Sequence, residues 1–151
     1  MKPRGMLIGL LAAAILLLCV AVFAQVDRPY RNGSVWDIAF IKVKPGMNEA
    51  YMNHLATQWK NLREAEKKEG LILSYKVLAT EAHSIGDWNL MLMTEYKDLA
   101  TMEANQPKAD VVAQRVIGDD QKQMQGYKER AEIREILGER LAREIILEPR
   151  R

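Results

Sequence analysis

Cysteine is almost absent from the sequence, and its scarcity excludes several kinds of chemistry. The single cysteine, Cys19, lies inside an apolar run near the start of the chain. The rest of the chain therefore has no disulfide, no thiolate nucleophile and no cysteine-based metal site. Residues 25–151 must therefore rely on a hydrophobic core, and they are enough to form one. For an exported protein, this composition suits a bacterial periplasm better than an extracellular setting, where small domains are commonly stapled by disulfides.

Excess charge of either sign is also missing. The chain has 22 Lys and Arg residues against 20 Asp and Glu residues, which gives a net charge of +2. Lys2 and Arg4 account for that excess, so the chain that follows them is neutral. Nucleic-acid binding needs a basic surface and is not expected. Peripheral membrane binding is disfavoured for the same reason.

Histidine is scarce, with only His54 and His83 in the chain. No histidine or glutamate spacing typical of metal ligands occurs, so neither a metal site nor a cofactor is predicted. His54 falls on a predicted helix and is expected to be at the surface or half-buried. His83 lies in a predicted loop beside Asp87, where a histidine can act as a base. An ordinary solvated loop is the simpler interpretation of that position.

The first residues, 1–24, have the pattern of a secretory signal peptide. Basic residues precede the uncharged run Met6–Ala24, and Val22 and Ala24 are placed for cleavage before Gln25. This pattern predicts a periplasmic or secreted mature protein. The run is nearly as long as the roughly 20 residues that cross a bilayer, so an uncleaved membrane anchor is the alternative.

The remaining chain alternates between strand and helix patterns. Residues 25–34 have no periodicity and are predicted to be a tether. Val35–Val43 is apolar on both faces and is predicted to be an interior strand. Met47–Glu69 is predicted to be a helix that ends before Gly70, with an apolar stripe formed by Met47, Tyr51, Leu55, Trp59 and Leu62. Its solvent side is predicted to carry Lys60, Arg63, Glu64 and Lys67. Further predicted elements are strands Leu71–Thr80 and Trp88–Tyr96, helices Leu99–Asn105, Lys108–Ile117 and Tyr127–Leu137, and a final strand Leu141–Leu147. A helical continuation through Leu147 is the alternative for the last segment.

This order of elements predicts an α+β fold of the ferredoxin-like βαββαβ type. The sheet would have four antiparallel strands, with the helices on one face and a long helical insertion before the last strand. Since the helices cover only one face and the first strand is apolar on both, another surface must bury the second face. A second copy of the sheet is the simplest partner.

Two segments carry a resemblance to a known superfamily. Residues 40–46, Phe-Ile-Lys-Val-Lys-Pro-Gly, precede a helix that carries Trp59, and residues 88–99 run from Trp-Asn-Leu-Met to Lys-Asp-Leu. They resemble the dimeric α/β-barrel superfamily, which includes antibiotic-biosynthesis-monooxygenase-like, NIPSNAP-like and EthD-like domains. The resemblance implies that residues 35–151 form a homodimeric domain whose two sheets face each other and enclose pockets.

The resemblance also suggests residue types for a site. Members that oxidise substrates without metal or flavin use Asn, Trp and His around the lumen, and here Asn89, Trp88 and His83 supply these types as catalytic candidates. Polar and aromatic strand residues are the ligand-binding candidates: Trp36, Asp37, Lys76 and Glu95. Lys76 is expected to pair with Asp37 or Glu95, and simple cross-strand salt bridges are the alternative role for these residues.

The function predicted first is a homodimeric module that binds a small apolar molecule between its sheets. A cofactor-independent monooxygenase-like enzyme is one alternative. A membrane-tethered interaction domain is the other, and it requires residues 6–24 to remain uncleaved.

Overall fold

A computed structural model describes residues 28–81, 83–84 and 86–148. Its four strands are β1 (Tyr30–Val43), β2 (Ser74–Ala79), β3 (Leu90–Tyr96) and β4 (Arg134–Leu147). They form one antiparallel sheet in the order β2-β3-β1-β4. The predicted signal peptide, residues 1–24, lies outside the described residues. Within the described part of the chain, no helix is both long and apolar enough to cross a membrane.

Three helices accompany the sheet. Helix α1 consists of an α-helical part Asn48–His54, a π-helical turn Leu55–Trp59 and a second α-helical part Lys60–Lys68. Helix α2 is Leu99–Val116, and α3 is Asp120–Ile133. The predicted helix Met47–Glu69 is confirmed. Gly70 follows it with a φ of 71°, the left-handed conformation in which glycine ends helices.

The observed order confirms the coarse prediction of an α+β fold. A four-stranded antiparallel sheet with three helices is compatible with a ferredoxin-like arrangement. β1 lies between β3 and β4, as its two apolar faces predicted. The long helical part before the last strand is also present, as α2 and α3.

Two predicted boundaries are wrong, one near the N-terminus and one in the middle of the fold. β1 begins at Tyr30, so residues 30–34 of the predicted tether belong to a strand. The two helices predicted on either side of Pro107 are one helix, α2, with the proline inside it. Asp98 caps this helix by accepting a hydrogen bond from the Thr101 N–H (2.7 Å), and Val112 beyond the proline is fully buried. Packing of that face keeps the helix continuous although proline lacks one N–H donor.

The last helix and strand also differ from their predicted bounds. α3 begins earlier than the predicted Tyr127, because Asp119 caps it by accepting a hydrogen bond from the Lys122 N–H (2.9 Å). It ends at Ile133, and residues 134–147 form β4. The strand interpretation of the last segment is therefore confirmed. The Lys44 N–H donates to the Ile133 carbonyl (3.0 Å), so the strand starts where β1 offers a backbone partner.

The core lies on one side of the sheet, between the sheet and the helices. One cluster joins the sheet to α1 and contains Ile41, Val43, Tyr51, Leu55 and Leu90. A second cluster joins α1 to α2 and contains Leu62, Leu71 and Val112. The predicted inner stripe of α1 is confirmed, except that its first member, Met47, is exposed.

Residues 32–146 form one compact unit. The described residues 28–31 and 147–148 belong to a second unit. In that second unit Arg31 Nε lies 2.6 Å from Glu148 Oε1, and the Glu148 N–H donates to the Pro29 carbonyl (2.9 Å).

Candidate functional site

The side of the sheet away from α1 carries most of the predicted site residues. Ile41, Val43 and Leu90 pack in the core with α1, so the alternate residues of β1 and β3 lie on the other face. The strand register pairs Ile38 with Met93 and Phe40 with Met91 across that face. Most of these paired side chains are apolar.

β4 extends the same apolar surface. The Arg134 guanidinium lies over the ring of the buried Tyr51, at 5.7 Å from the centroid, so Arg134 is on the helix side. Strand alternation then places Leu137, Leu141 and Ile145 on the other side, where they are 43%, 56% and 48% exposed. The same alternation places Glu135, Glu139 and Arg143 of β4 and Lys42 of β1 on this side. We call this surface the open face, and its residues are Trp36, Ile38, Phe40, Lys42, Ser74, Lys76, Leu78, Met91, Met93, Glu95, Glu135, Leu137, Glu139, Leu141, Arg143 and Ile145.

Three of the four predicted ligand-binding residues meet on the open face. Trp36 is paired in register with Glu95. The Lys76 Nζ lies 4.9 Å from the centroid of the Trp36 ring. The Ser74 hydroxyl donates to the Glu95 carboxylate (2.5 Å). Lys76 is thus held over an aromatic ring, which is a favourable cation–π arrangement.

Asp37 lies on the opposite, helix-covered face. It is paired in register with Thr94, whose hydroxyl accepts a hydrogen bond from Arg63 (3.5 Å). Its pKa is raised, mainly because surrounding groups exclude solvent from part of the carboxylate and also because Glu139 is near, whereas Arg63 lowers it. The side chain nevertheless keeps more than a third of its surface exposed. The predicted pairing of Asp37 with Lys76 is wrong, because Asp37 points to the helix-covered face of the sheet whereas Lys76 points to the open face.

The loop before β3 is closed by Asp87. This carboxylate accepts hydrogen bonds from the backbone N–H groups of His83 (2.9 Å) and Ser84 (2.8 Å) and from the Ser84 hydroxyl (2.7 Å). These bonds, the Ser84 hydroxyl first, lower the pKa of Asp87. His83 therefore contacts Asp87 through its backbone amide, and its exposed side chain lies in a loop organised by Asp87.

Asn89 and Trp88 have different surroundings although they are adjacent. The Asn89 side-chain carbonyl accepts a hydrogen bond from the Val43 N–H (2.9 Å), and the Asn89 N–H donates to the Ile41 carbonyl (2.9 Å). Asn89 thus extends the pairing of its strand with β1. Trp88 makes an edge-to-face contact with Phe40, at 5.3 Å between ring centroids. Of the three predicted catalytic residues, Trp88 is the one that joins the open face.

A buried polar cluster lies on the helix-covered side, and the sequence pattern misses it. Arg63, which was predicted to face solvent, lies 3.0 Å from Glu66. Glu66 and Thr94 are only 5% and 6% exposed. Burial raises the pKa of Glu66, and the nearby Arg63 lowers it. The available signal is spacing, since Glu66 falls four residues after Leu62 and so continues the inner stripe of α1.

Neither a metal centre nor a family match accounts for these clusters. Among the described residues, no group of three or more His, Cys, Asp and Glu side chains is placed to hold a metal ion. No protein-family model matches the chain, and no curated protein matches it significantly.

Proposed function

We propose that this protein is an exported homodimeric domain that binds a small, largely apolar molecule between two facing sheets. The open face is the observation that carries this proposal. It carries apolar side chains on all four strands, with charged side chains of β4 between them, and contributes no residue to either core cluster of the described chain. Exposed apolar side chains grouped in this way are typical of interaction or ligand sites.

A second copy of the chain is the occupant that fits the open face best. Sheets pack face to face with side chains interdigitating about 10 Å apart. A two-fold interface uses the same surface on both subunits, so an apolar sheet face is complementary to its own copy. Such packing buries Leu78, Leu137 and Leu141, which are 47%, 43% and 56% exposed in the single chain.

The polar residues of the open face define what the ligand offers. Lys76, Glu95 and Ser74 lie among apolar side chains, the arrangement by which pockets orient an apolar ligand through a few polar contacts. Trp36 and Trp88 add flat aromatic surfaces. We therefore expect a ligand with an apolar, flat body and one polar group.

The contacts favour binding over the enzymatic alternative. A monooxygenase-like enzyme would use Asn89, Trp88 and His83 together. Asn89 is engaged with the backbone of β1, and the side chain of His83 is exposed in its loop. The proposed export depends on the sequence pattern of residues 1–24, as does the membrane-tethered alternative.

Native mass spectrometry of the protein tests the proposal. The full chain is expressed in a bacterium with its own first residues and recovered from the periplasm. We expect a dimer whose chains begin at Gln25 and which carries an additional bound mass. Lys76→Gln should lower the occupancy of that mass, because it removes the cation over Trp36. Lys108→Gln, an exposed position on α2, is the matched control and should leave the occupancy unchanged.

The other outcomes separate the parts of the proposal. A dimer that carries no additional mass contradicts ligand binding but not assembly. A monomer contradicts the pairing of open faces. A chain that keeps residues 1–24 and fractionates with the membrane contradicts periplasmic release and favours the tethered interaction domain.

A further inference from the structure

A cavity of about 460 Å³ lies between α1 and α3, on the helix side of the sheet. α1 contributes His54 and Gln58 to its wall, and α3 contributes Arg130. Ile117, which directly follows α2, and Ile133, at the end of α3, supply apolar surface. The volume is in the range of about 300–1,000 Å³ that is typical of small-molecule sites.

In the part of the chain that the structure describes, neither arginine at this cavity forms a direct ion pair, although the charge of Glu129 interacts favourably with Arg130. Arg130 Nη1 donates to the neutral side-chain carbonyl of Gln58, at 3.5 Å. Arg134 lies over the Tyr51 ring, and its Nε is buried without a hydrogen-bond partner. Within the described residues, neither guanidinium has a carboxylate oxygen within 4.0 Å.

The acidic and basic residues at the rim balance each other. The negatively charged Glu129 and the positively charged Lys122 both line the cavity. The excess positive charge therefore comes from Arg130 inside the wall and from Arg134 behind it. A guanidinium that is half-buried and has no directly bonded carboxylate is well suited to bind an anion from solution.

His54 responds to this charge. Its ring stacks near Tyr51, at 6.0 Å between centroids. Burial, and then the charges of Arg130 and Arg134, lower the pKa of His54 from 6.5 to about 4. The imidazole is consequently neutral at pH 7. An anion bound beside it would favour the imidazolium and so move the pKa upward again.

We propose that this cavity binds a small organic carboxylate, with the carboxylate group at Arg130 and His54 and the apolar body against Ile117 and Ile133. Guanidinium and carboxylate groups match in geometry and form two parallel hydrogen bonds. The two isoleucines favour a ligand with a hydrocarbon part over an inorganic anion. The cavity is on the helix side of the sheet, so the proposal is independent of binding at the open face.

Benzoate is a suitable probe, and NMR titration of the two imidazoles is the measurement. The comparison is made at constant ionic strength and pH 5, where carboxylates of ordinary pKa are largely ionised and His54 of the free protein is largely neutral. Benzoate should raise the pKa of His54 by about one unit or more, so that about half of the imidazole or more is protonated at that pH. The exposed His83 serves as the internal control and should not shift. Benzyl alcohol, which has a similar body and no charge, should leave both imidazoles unchanged.

Variants connect the response to the cavity. Arg130→Gln should abolish the effect of benzoate, whereas Arg140→Gln, an exposed arginine of β4, should preserve it. Ile117→Glu is a second variant that places a carboxylate in the cavity wall. It should raise the pKa of His54 without benzoate and remove the response to benzoate.

Three results would overturn the proposal. The first is a His54 that titrates near 6.5 in the free protein and ignores benzoate. The second is an undiminished response in Arg130→Gln. The third is an equal response to inorganic phosphate, which would contradict the role assigned to Ile117 and Ile133.

Discussion

Glu66 and Arg63 form an ion pair on the side of α1 that faces the sheet. Arg63 Nη1 lies 3.0 Å from Glu66 Oε2, and the two side chains are 16% and 7% exposed. The Arg63 Nε and the Glu66 Oε2 have no hydrogen-bond partner of good geometry. Removing two charges from water costs several kcal/mol per ion, so the pair is stabilising only while both members are present.

Arg63→Met should therefore destabilise the protein by about 3–5 kcal/mol at pH 7, because it leaves Glu66 buried without a cation. Urea unfolding measures the loss. Arg115→Met is the matched control, since Arg115 also pairs with a glutamate, Glu69 just after α1, but both side chains are more than a third exposed. That change should cost less than about 1 kcal/mol.

The pH dependence gives the same variant a second signature. The folded pKa of Glu66 is raised above 4.5, so the folded state holds its proton more tightly than the unfolded state does. Protonated Glu66 therefore favours the folded state at low pH, and this contribution is lost as pH rises through the raised pKa. Removing Arg63, which lowers that pKa, raises the pKa of Glu66 further. The defect of Arg63→Met should thus shrink as pH falls towards 4.5. A defect that stays constant with pH would show that Glu66 is not the cause.

At the scale of the element, α2 shows how packing overrides a local signal. Pro107 predicts a helix boundary, because proline lacks the N–H donor and its ring crowds the preceding turn. The helix nevertheless runs from Leu99 to Val116, with Asp98 capping one end and the fully buried Val112 beyond the proline. Contacts with α1 and Leu71 outweigh the missing hydrogen bond.

Pro107→Ala should stabilise the protein, by about 1–3 kcal/mol on the scale of proline in helix interiors. The alanine N–H restores the hydrogen bond to the Glu103 carbonyl. Thermal or urea unfolding checks this, with the neighbouring exposed Lys108→Ala as a control that should change little. A loss of stability in Pro107→Ala would mean that the proline supports a bend that the fold needs.

At the scale of the whole molecule, β1 has two apolar faces with different partners. Ile41 packs in the core against α1 and is 1% exposed. Ile38 lies on the open face beside Met93 and is only partly buried in the single chain. The same substitution at these two positions therefore separates folding from assembly.

Ile38→Asp should give a folded monomer, because the charge is placed where the second sheet would pack. Ile41→Asp should prevent folding, because an unpaired carboxylate in the core costs several kcal/mol. Light scattering after size exclusion measures assembly, and circular dichroism with urea unfolding measures folding. A dimer that persists in Ile38→Asp would contradict the pairing of open faces.

Much of the fold follows from periodicity along the chain. The spacing of Tyr51, Leu55 and Leu62 predicts α1 and its buried side, and the apolar character of both faces of β1 predicts a central strand. The sequence identifies Trp36, Lys76 and Glu95 as ligand-binding candidates but does not place them together. Their meeting on one face depends on the register of three strands, which local spacing does not encode.

The sequence by itself determined the class of the fold, the order of most elements and the absence of cysteine chemistry after Cys19, because composition and spacing act locally. Tertiary structure decided which side of each strand is covered, the burial of Arg63, and the change from helix to strand at Arg134. Each of these depends on a partner distant in the chain. For Arg134 the partner is β1, whose Lys44 N–H bonds the preceding carbonyl of Ile133.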